Sequence, residues 1–455
     1  MNCIFRIVWS RALRAWVVAS ELATSHGRSS RRVERRTDLG KADSGVDARS
    51  AARWRLRLGA LAAPLATDAP AQAGDRDWDP NNTALGSGGT GILNTTDPLW
   101  SPNKDGVRGP YSDWGNAAPH AAFFGGTAGT VTLGAPITVH NMVFLTNGYV
   151  LNGSTLTLGG VAPTITTNAG VTTTINSVIA GSGGLTKAGT GSLFLTGANT
   201  FSGNINVDGG RLDVNGNAAL GNIANVVNMA NGTRLDVGST GGGLAGRTVA
   251  LTGSVQIFGS GAGSGFFTGS GNAGFFGVAV SNDLNNYTGR TTFSSSSASS
   301  FTSIADLGMV SSLGAPTTAA NGLITISAPN QTNAVLHYVG DGDSSNRNWQ
   351  MNPPAGPSGE AVYLQNRGTG TLTLTGNIAL AGGSGNRAEF DAVTADMELL
   401  GVISSNNGRD AWFVADAGRS EPGGERSRLT AARRSRCVVR RPRVARGAPE
   451  SVVGV

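Results

Sequence analysis

From about Thr130 onward the chain is written in short alternating runs, TVTL, ITVHNMVFL, STLTLG, TITT, GSLFLTG, NINVDGG and RLDVNG, separated by Gly and Asn. Within a run, residues two apart share a character: Leu193 with Leu195, Ile205 with Val207, Leu212 with Val214, Leu235 with Val237. That is the period of a strand with one buried face. Thr and Asn fill the other face, and capped helix-period segments are nearly absent. Many short strands with frequent turns allow a sandwich, a barrel or a solenoid. The runs are very short and resemble one another, which favours a solenoid. Residues 130–405 are therefore expected to form an all-β stack of parallel coils. Composition agrees: 68 of 455 residues are Gly and 14% are charged, against usual shares of roughly 7% and about 25%. No strict G-x-y period exists, so a collagen helix is excluded.

The repeat can be quoted. Gly189 to Gly197 (GTGSLFLTG) matches Gly368 to Gly376 (GTGTLTLTG), and Asn199 to Gly203 (NTFSG) matches Asn285 to Gly289 (NNYTG). One such unit buries one or two aliphatic residues per strand and cannot fold alone. Stacked units share a continuous core. Gly suits the corners because positive φ costs it little. Asn tolerates the same conformation or can ladder its amide along the coil. Phe201 and Tyr287 are expected to be core plugs between coils.

Charge divides the chain into three. Residues 1–73 carry a formal +7, residues 410–455 carry +5, and the body between them −6, giving +6 in all. The basic character belongs to the ends, and an acidic body repels nucleic acid, so no nucleic-acid partner is expected. The two cysteines, Cys3 and Cys437, also lie in the ends. The body can therefore hold neither a zinc–thiolate site nor a thiol nucleophile.

The N-terminal stretch MNCIFRIVWSRALRAWVVASELATSHG mixes apolar residues with Arg6, Arg11 and Arg14. On pattern alone it reads as a short basic amphipathic helix able to touch a membrane surface, or as the first helix of a domain. A charged spacer follows. Then come Arg53, Arg55 and Arg57, an apolar stretch from Leu58 to Ala66, and Ala71-Gln72-Ala73. Basic flank, apolar centre and A-x-A site stand in the order of a signal peptide, with cleavage expected after Ala73. No run of 18 apolar residues occurs, so no transmembrane helix is expected.

Two stretches resemble the autotransporters of type V secretion. The opening is similar to their extended signal-peptide region: Met1, Asn2, Ile4, Arg6, Val8, Trp9 and the run Trp16 to Ala23 fit that pattern, while Cys3 and Ser10 depart from it. Residues 181–214 resemble the passenger-associated repeat, through Gly184, Leu185, Lys187, Gly189, Gly191, Leu193, Leu195, Gly197, Asn199, Phe201, Gly203, Val207, Gly210 and Leu212. The stretches FTSIADLGMVSSLGAPT (301–317) and NRNWQM (346–351) also look like passengers of this kind. The resemblance implies a right-handed parallel β-helix over 74–409, with residues 1–73 serving the inner-membrane export machinery. It implies a destination at the Gram-negative cell surface or outside it. An unexported product would stay in the cytoplasm or periplasm. A cysteine-free body suits a chain that crosses an outer membrane unfolded. The family should end in a membrane β-barrel. Residues 410–455 instead read as an Arg-rich tail, disordered or out of frame, with no aromatic after Phe413 to build a barrel girdle.

Catalytic candidates are few. Gly269 to Gly274 spells G-x-G-x-x-G without the strand-then-helix context of a phosphate cradle. Gly340-Asp341-Gly342-Asp343-Ser344 is close to a serine-protease nucleophile loop, but the Gly-Asp-Ser-Gly order is absent. Asp341, Asp343 and Ser345 resemble the start of a calcium loop whose sixth and twelfth positions, Asn346 and Asn352, are wrong. His120, His140 and His337 stand in no triad pattern, and Asp391, Asp396 and Glu398 cluster on no identifiable cleft. No catalytic, cofactor or metal residue is assigned. The reading is a non-enzymatic surface passenger, an adhesin or interaction scaffold with an unnamed surface ligand. A carbohydrate-active β-helix (lyase or hydrolase) and a truncated, non-functional product are the alternatives.

Overall fold

The computed structural model describes residues 5–10, 15–20, 74–405 with short exceptions, and the strands 410–415, 426–430 and 437–439. The exceptions within the body are 82–87, 102–110, 118–119, 239–242, 295–296, 329–332, 354–360 and 382–386. Two units separate, 1–66 and 67–455. In the first, Phe5–Ser10 and Ala15–Ser20 form an antiparallel hairpin with Trp9 opposite Trp16 and Val8 opposite Val17. This corrects the amphipathic-helix reading. The two segments are rich in Ile, Val and Trp, whose branched and aromatic side chains favour strands. Ala71 and Ala73 lie outside the described residues.

The second unit is all-β. Among the described residues there is no α-helix, only 3₁₀ turns such as Asn217–Leu220 and Ala262–Ser264. One coil shows the plan: Asn141–Phe144 on a first face, Val150–Gly153 on a second, Leu156–Leu158 on a third. The next coil repeats it in parallel register, Thr164 beside Asn141 and Thr174 beside Val150. The second face is unbroken, a sheet of 14 strands from Gly91–Leu93 to Ile403–Ser405. The first face runs to Phe266–Gly269 and resumes as Asp343–Ser345, Leu372–Leu374 and Met397–Leu399. The third face is stranded over 137–180, then carried by turns, and becomes a sheet again from Ala279 onward.

Register explains the core. Leu193, Leu212, Leu235, Ile257, Phe275 and Phe293 pair successively along the second face, all 2% exposed or less. They form one inward column at the strand spacing of about 4.8 Å. The hydrophobic cluster runs without a break from Trp78 to Ile403. Side-chain amides line the corners. Asn231, Asn272, Asn348 and Asn377 each accept the backbone N–H of the following coil, at Ser254, Arg290, Asn377 and Val402, over 2.8–3.0 Å. The Asn-rich turns of the sequence are thus a ladder that satisfies corner donors.

At the N-terminal end the first face is covered. Asp75–Trp78 takes an antiparallel partner, Trp100–Ser101. Trp78, Trp100 and Trp114 pack into a buried cluster with Phe124, with ring centroids 4.6–6.5 Å apart. Trp114 Nε1 donates to Thr138 O (2.9 Å), and Asn116 exchanges bonds with Pro136 O and Thr138 N. On the first face the edge that a solenoid would otherwise leave open is thereby paired, while Gly91–Leu93 is the terminal strand of the second.

At the other end the stack runs past 409. Asp410–Ala415 adds a parallel strand beside Arg387–Ala392. Arg426–Thr430 and Cys437–Val439 pair antiparallel to Asp410–Ala415 and Met397–Leu399. The run Ala-Trp-Phe-Val at 411–414 extends the ladder without the Gly, Thr and Asn composition of the body. Residues 416–425, 431–436 and 440–455 of the expected tail lie outside the described residues.

Candidate functional site

The repeat at 181–214 makes one and a half coils. Leu185, Leu193, Leu195, Phe201, Val207 and Leu212 are buried at 0–1% exposure. Gly184, Gly189, Gly203 and Gly210 all have positive φ. At Gly189 (φ 73°) a Cβ would also run into the carbonyl of Thr167 in the preceding coil, so both conformation and contact demand Gly. A Cβ at Gly191 or Gly197 would also run into carbonyls of the preceding coil. Asn199 bridges coils, accepting from Ile179 N (2.7 Å) and donating to Ala219 O (2.6 Å). Lys187 is fully buried, yet its Nζ donates to Ala188 O, Gly189 O and Gly209 O at 2.8–3.1 Å. Burial lowers its pKa to about 8. One ammonium therefore ties the corner of its own coil to the corner of the next.

Two further buried cations act alike. Arg247 donates to the carbonyls of Asn217, Gly221, Asn222 and Asn225 at 2.9–3.2 Å, and burial lowers its pKa to about 10. Arg347 donates to Leu313 O (2.7 Å), Gly322 O (2.9 Å) and Thr291 Oγ1 (3.4 Å). The segment it holds, 302–322, is the long excursion of the solenoid.

The outer side of the second face carries a groove of about 270 Å³ over neighbouring coils, lined by Phe194, Thr196, Asp213, Asn215, Asp236 and Gly238 among others. Asp213 sits beside Asp236 in register, and Arg211 beside Arg234. Arg234 forks onto Asp236 (2.6 and 2.8 Å) and lies 3.4 Å above the Phe258 ring. Arg211 meets Asp236 Oδ2 at 2.6 Å and bonds Asp213 Oδ1. Burial raises the Asp213 pKa to about 6 against the pull of Arg211.

Comparison with known proteins places this architecture. Residues 1–63 match the family model described as the extended signal peptide of the type V secretion system, and residues 185–214 match the passenger-associated-transport-repeat. Over 357 residues, 77% of the chain, it is 54% identical to the adhesin BmaC autotransporter of Brucella suis biovar 1 (strain 1330). The chain belongs to the autotransporters. It spans 10% of that relative's length. No solved structure matches. The extended signal peptide and this relative assign the autotransporter chain to export, toward the Gram-negative cell surface.

Within this autotransporter passenger the sequence-flagged motifs have structural occupations. Gly269 to Gly274 is the corner between two strands, Phe266–Gly269 and Ala273–Phe276. The 340–346 run anchors the 302–322 excursion. Asp343 Oδ2 accepts from Ile304 N and Tyr338 Oη, Ser345 Oγ donates to Ala305 O, and Asn346 Oδ1 accepts from Leu307 N. Asp341 is taken by Thr369 Oγ1 at 2.8 Å. His120 is buried against Trp114 and accepts from Gly74 N, with its pKa lowered by burial. The His140 ring lies at Val161 O, and His337 is on the distant strand Ala334–Tyr338, its pKa also lowered by burial. No triad forms among them. Asp391 takes Gln365 Nε2 at 2.7 Å, and Glu398 accepts from Thr373. Among the described residues no cluster of three or more metal-ligating side chains occurs. The roles of Arg247, Arg347 and the Arg/Asp pairs at 211–236 were missed. The visible signal was the recurrence of Arg-Leu-Asp-Val at 211–214 and 234–237.

Proposed function

We propose that this chain is a passenger segment that acts as an adhesin, through contact and without catalysis. The observation that carries the reading is its 54% identity to part of an adhesin autotransporter. A continuous 14-strand face is a rigid display surface, and the polar residues that suggested chemistry are engaged in holding coils and the 302–322 excursion. In this reading residues 1–73 engage the inner-membrane export machinery and are removed after Ala73, residues 74–409 form the display body, and the 181–214 repeat residues serve folding of the stack.

The test is display of the chain fused to an unrelated autotransporter barrel, scored by bacterial attachment to cultured epithelial cells. Attachment above a barrel-only control is expected, and its absence would remove the adhesin reading. Release of reducing ends or unsaturated products from polysaccharides by the purified chain would instead restore the enzymatic alternative. Terminal sequencing of the exported protein checks the Ala73 site.

A further inference from the structure

The excursion 302–322 turns polar groups toward the stack and apolar ones away from it. Its two limbs are tied by Ser303 and Ser312, each donating its backbone N–H to the other's Oγ (3.0 and 2.9 Å), and by Gly308 N to Pro316 O (2.8 Å). Asp343, Ser345, Asn346 and Arg347 fix it to the coil behind, and Arg290 Nε donates to Ala320 O (2.9 Å). Its tip nevertheless leaves Met309 60% and Val310 49% exposed, while Met142, Met229, Met351 and Met397 are all 1% exposed or less. A loop ordered in advance loses little further freedom when something binds it.

Two more exposed apolar residues stand at its root. Leu284 (69% exposed) precedes Asn285, whose Nδ2 donates to Ser312 O (2.9 Å). Val339 (40% exposed) donates its N–H to Phe301 O (3.0 Å). Four of the nine large apolar residues exposed among the described residues thus gather at one excursion, as at an interaction surface and unlike singly scattered surface residues.

Charge selects the occupant. Asp283, Asp306 and Asp341 are exposed around the excursion. Each is oriented through Oδ1: Asp283 by the hydroxyls of Thr302 and Ser303 (both 2.6 Å), Asp306 by Asn346 N (2.7 Å), Asp341 by Thr369 Oγ1 (2.8 Å). The exposed bases nearby are Arg290, on the return limb, and Arg367, on the next coil, whose Nε donates to Gln365 Oε1 (2.9 Å). Three carboxylates against two guanidiniums leave the surroundings negative. Anionic lipid is repelled by such a rim. A second copy in a two-fold contact would set the same rim against itself. Met and Val side chains offer no hydrogen-bonding partner to sugar hydroxyls. A protein segment that combines apolar side chains with Lys or Arg satisfies both the tip and the rim. About six extended residues span about 20 Å, and the limb from Ser303 to Gly308 can be no longer than that.

We propose that the tip Met309–Val310, with Leu284 and Val339 at its root and the carboxylates of Asp283, Asp306 and Asp341 beside it, docks an extended segment of a protein partner whose apolar side chains are flanked by Lys or Arg. This rests on the adhesin reading and gives it a partner class.

The experiment titrates the purified full chain with three short peptides of alternating sequence: Lys/Leu, Glu/Leu and Lys/Ser. Wild type is compared with two double variants, Met309→Ser with Val310→Ser, and Asp283→Asn with Asp341→Asn. The first changes only exposed side chains. The second keeps each Oδ1 acceptor and removes the charge, so both should leave circular dichroism unchanged. Wild type is expected to bind the Lys/Leu peptide about tenfold or more tightly than the other two peptides, and each double variant to bind it about tenfold or more weakly. The difference made by the Asp pair should shrink in about 1 M salt. Equal binding of the Glu/Leu or Lys/Ser peptide, or equal binding of the Lys/Leu peptide by either variant, overturns the proposal. So does binding to phosphatidylcholine vesicles, or self-association in sedimentation, that is lost in the Met309/Val310 variant, since the tip would then serve a lipid surface or a second copy. Displayed on cells, variants that attach as well as wild type overturn this surface and leave the adhesin reading standing. A wild type that binds the Lys/Leu peptide through the tip but mediates no attachment overturns the adhesin reading and leaves the surface.

Discussion

The stack before Phe276 and the stack after it solve the same problem differently. Before it, coils are short and even: Ser192 pairs with Arg211, Arg211 with Arg234, and Val255 with Ala273, the last step being 18 residues. After it, the step from Thr291 to Ile324 is 33 residues, and that from Trp349 to Ile378 is 29. Gly corners and Asn ladders serve both halves, and the regular half adds Lys187 and Arg247, each reaching only its own coil and a neighbouring one. In the irregular half Arg347 spans Thr291, Leu313 and Gly322, while Tyr287 bonds Thr291 at 2.8 Å. The second face nevertheless passes through without a break. A solenoid thus absorbs a long excursion when one buried cation supplies the donors that a missing strand no longer provides.

That contrast is broken most severely at Arg347. Arg347→Met keeps much of the volume but strands buried carbonyls at Leu313 and Gly322. Both carbonyl bonds are buried, and each carbonyl left without a donor costs about 1–3 kcal/mol, so about 2–6 kcal/mol for the two. Hydrogen exchange should show 303–316 deprotected while 130–260 stays protected, because coils couple chiefly to their neighbours. Protection unchanged at 303–316 would show that the 340–346 anchors suffice alone. Lys187→Met should cost less, about 1–3 kcal/mol for carbonyls left without a donor, with loosening confined to the corners at 188–190 and 208–210. Deprotection spreading past two coils would refute the view of that half as locally held.

Much of the body was legible, for a physical reason: period two and corner Gly are local properties that every coil repeats. The pairing of NTFSG with NNYTG marked Asn199 and Asn285, and both bridge coils through the same two bonds, from Ile179 N and Phe267 N and to Ala219 O and Ser312 O. What stayed hidden depends on register between coils. Arg247 reads as an ordinary surface Arg until the coil carrying Asn217 to Asn225 is stacked on it, and the Asp213–Asp236 pair exists only because coils 23 residues apart align. The 340–346 run looked like chemistry because anchoring a loop and binding a ligand draw on the same residue types. The hairpin at 5–20 was missed because interleaved Arg and apolar residues over so short a stretch fit either period.

The two bridging Asn allow a matched test. Asn199→Ala and Asn285→Ala each leave one buried N–H and one buried C=O unmade, worth about 1–2 kcal/mol. In chemical denaturation the two should cost similar amounts, although they lie in different halves. A much larger loss at Asn285 would mean that its partner Ser312, on the excursion, depends on this bond for its place, and that the irregular half has two supports rather than one.

The smallest expected effect separates the halves by pH. Burial raises Asp213 to about 6, against the attraction of Arg211, and Asp236 raises it further while Arg234 lowers it. An unfolded carboxylate titrates near about 3.9, so the folded state binds this proton more tightly. The contribution of Asp213 to stability is then fully present below the unfolded value and lost as pH rises through 6. Asp213→Asn cannot titrate, so its stability relative to wild type should climb between those two points and level off above. Buried groups of the irregular knot titrate far higher, Arg347 at about 10 and Tyr287 at about 12, and offer no counterpart in that window. Hydrogen exchange of wild type at pH 4.5 and 7 should therefore change, after correction for intrinsic rates, around 192–238 and not around 303–322, a segment away from His337, whose pKa burial lowers. A shift of equal size in both would show that the halves share one cooperative transition, and that the distinction between locally held coils and a single buried clamp does not govern how the stack opens.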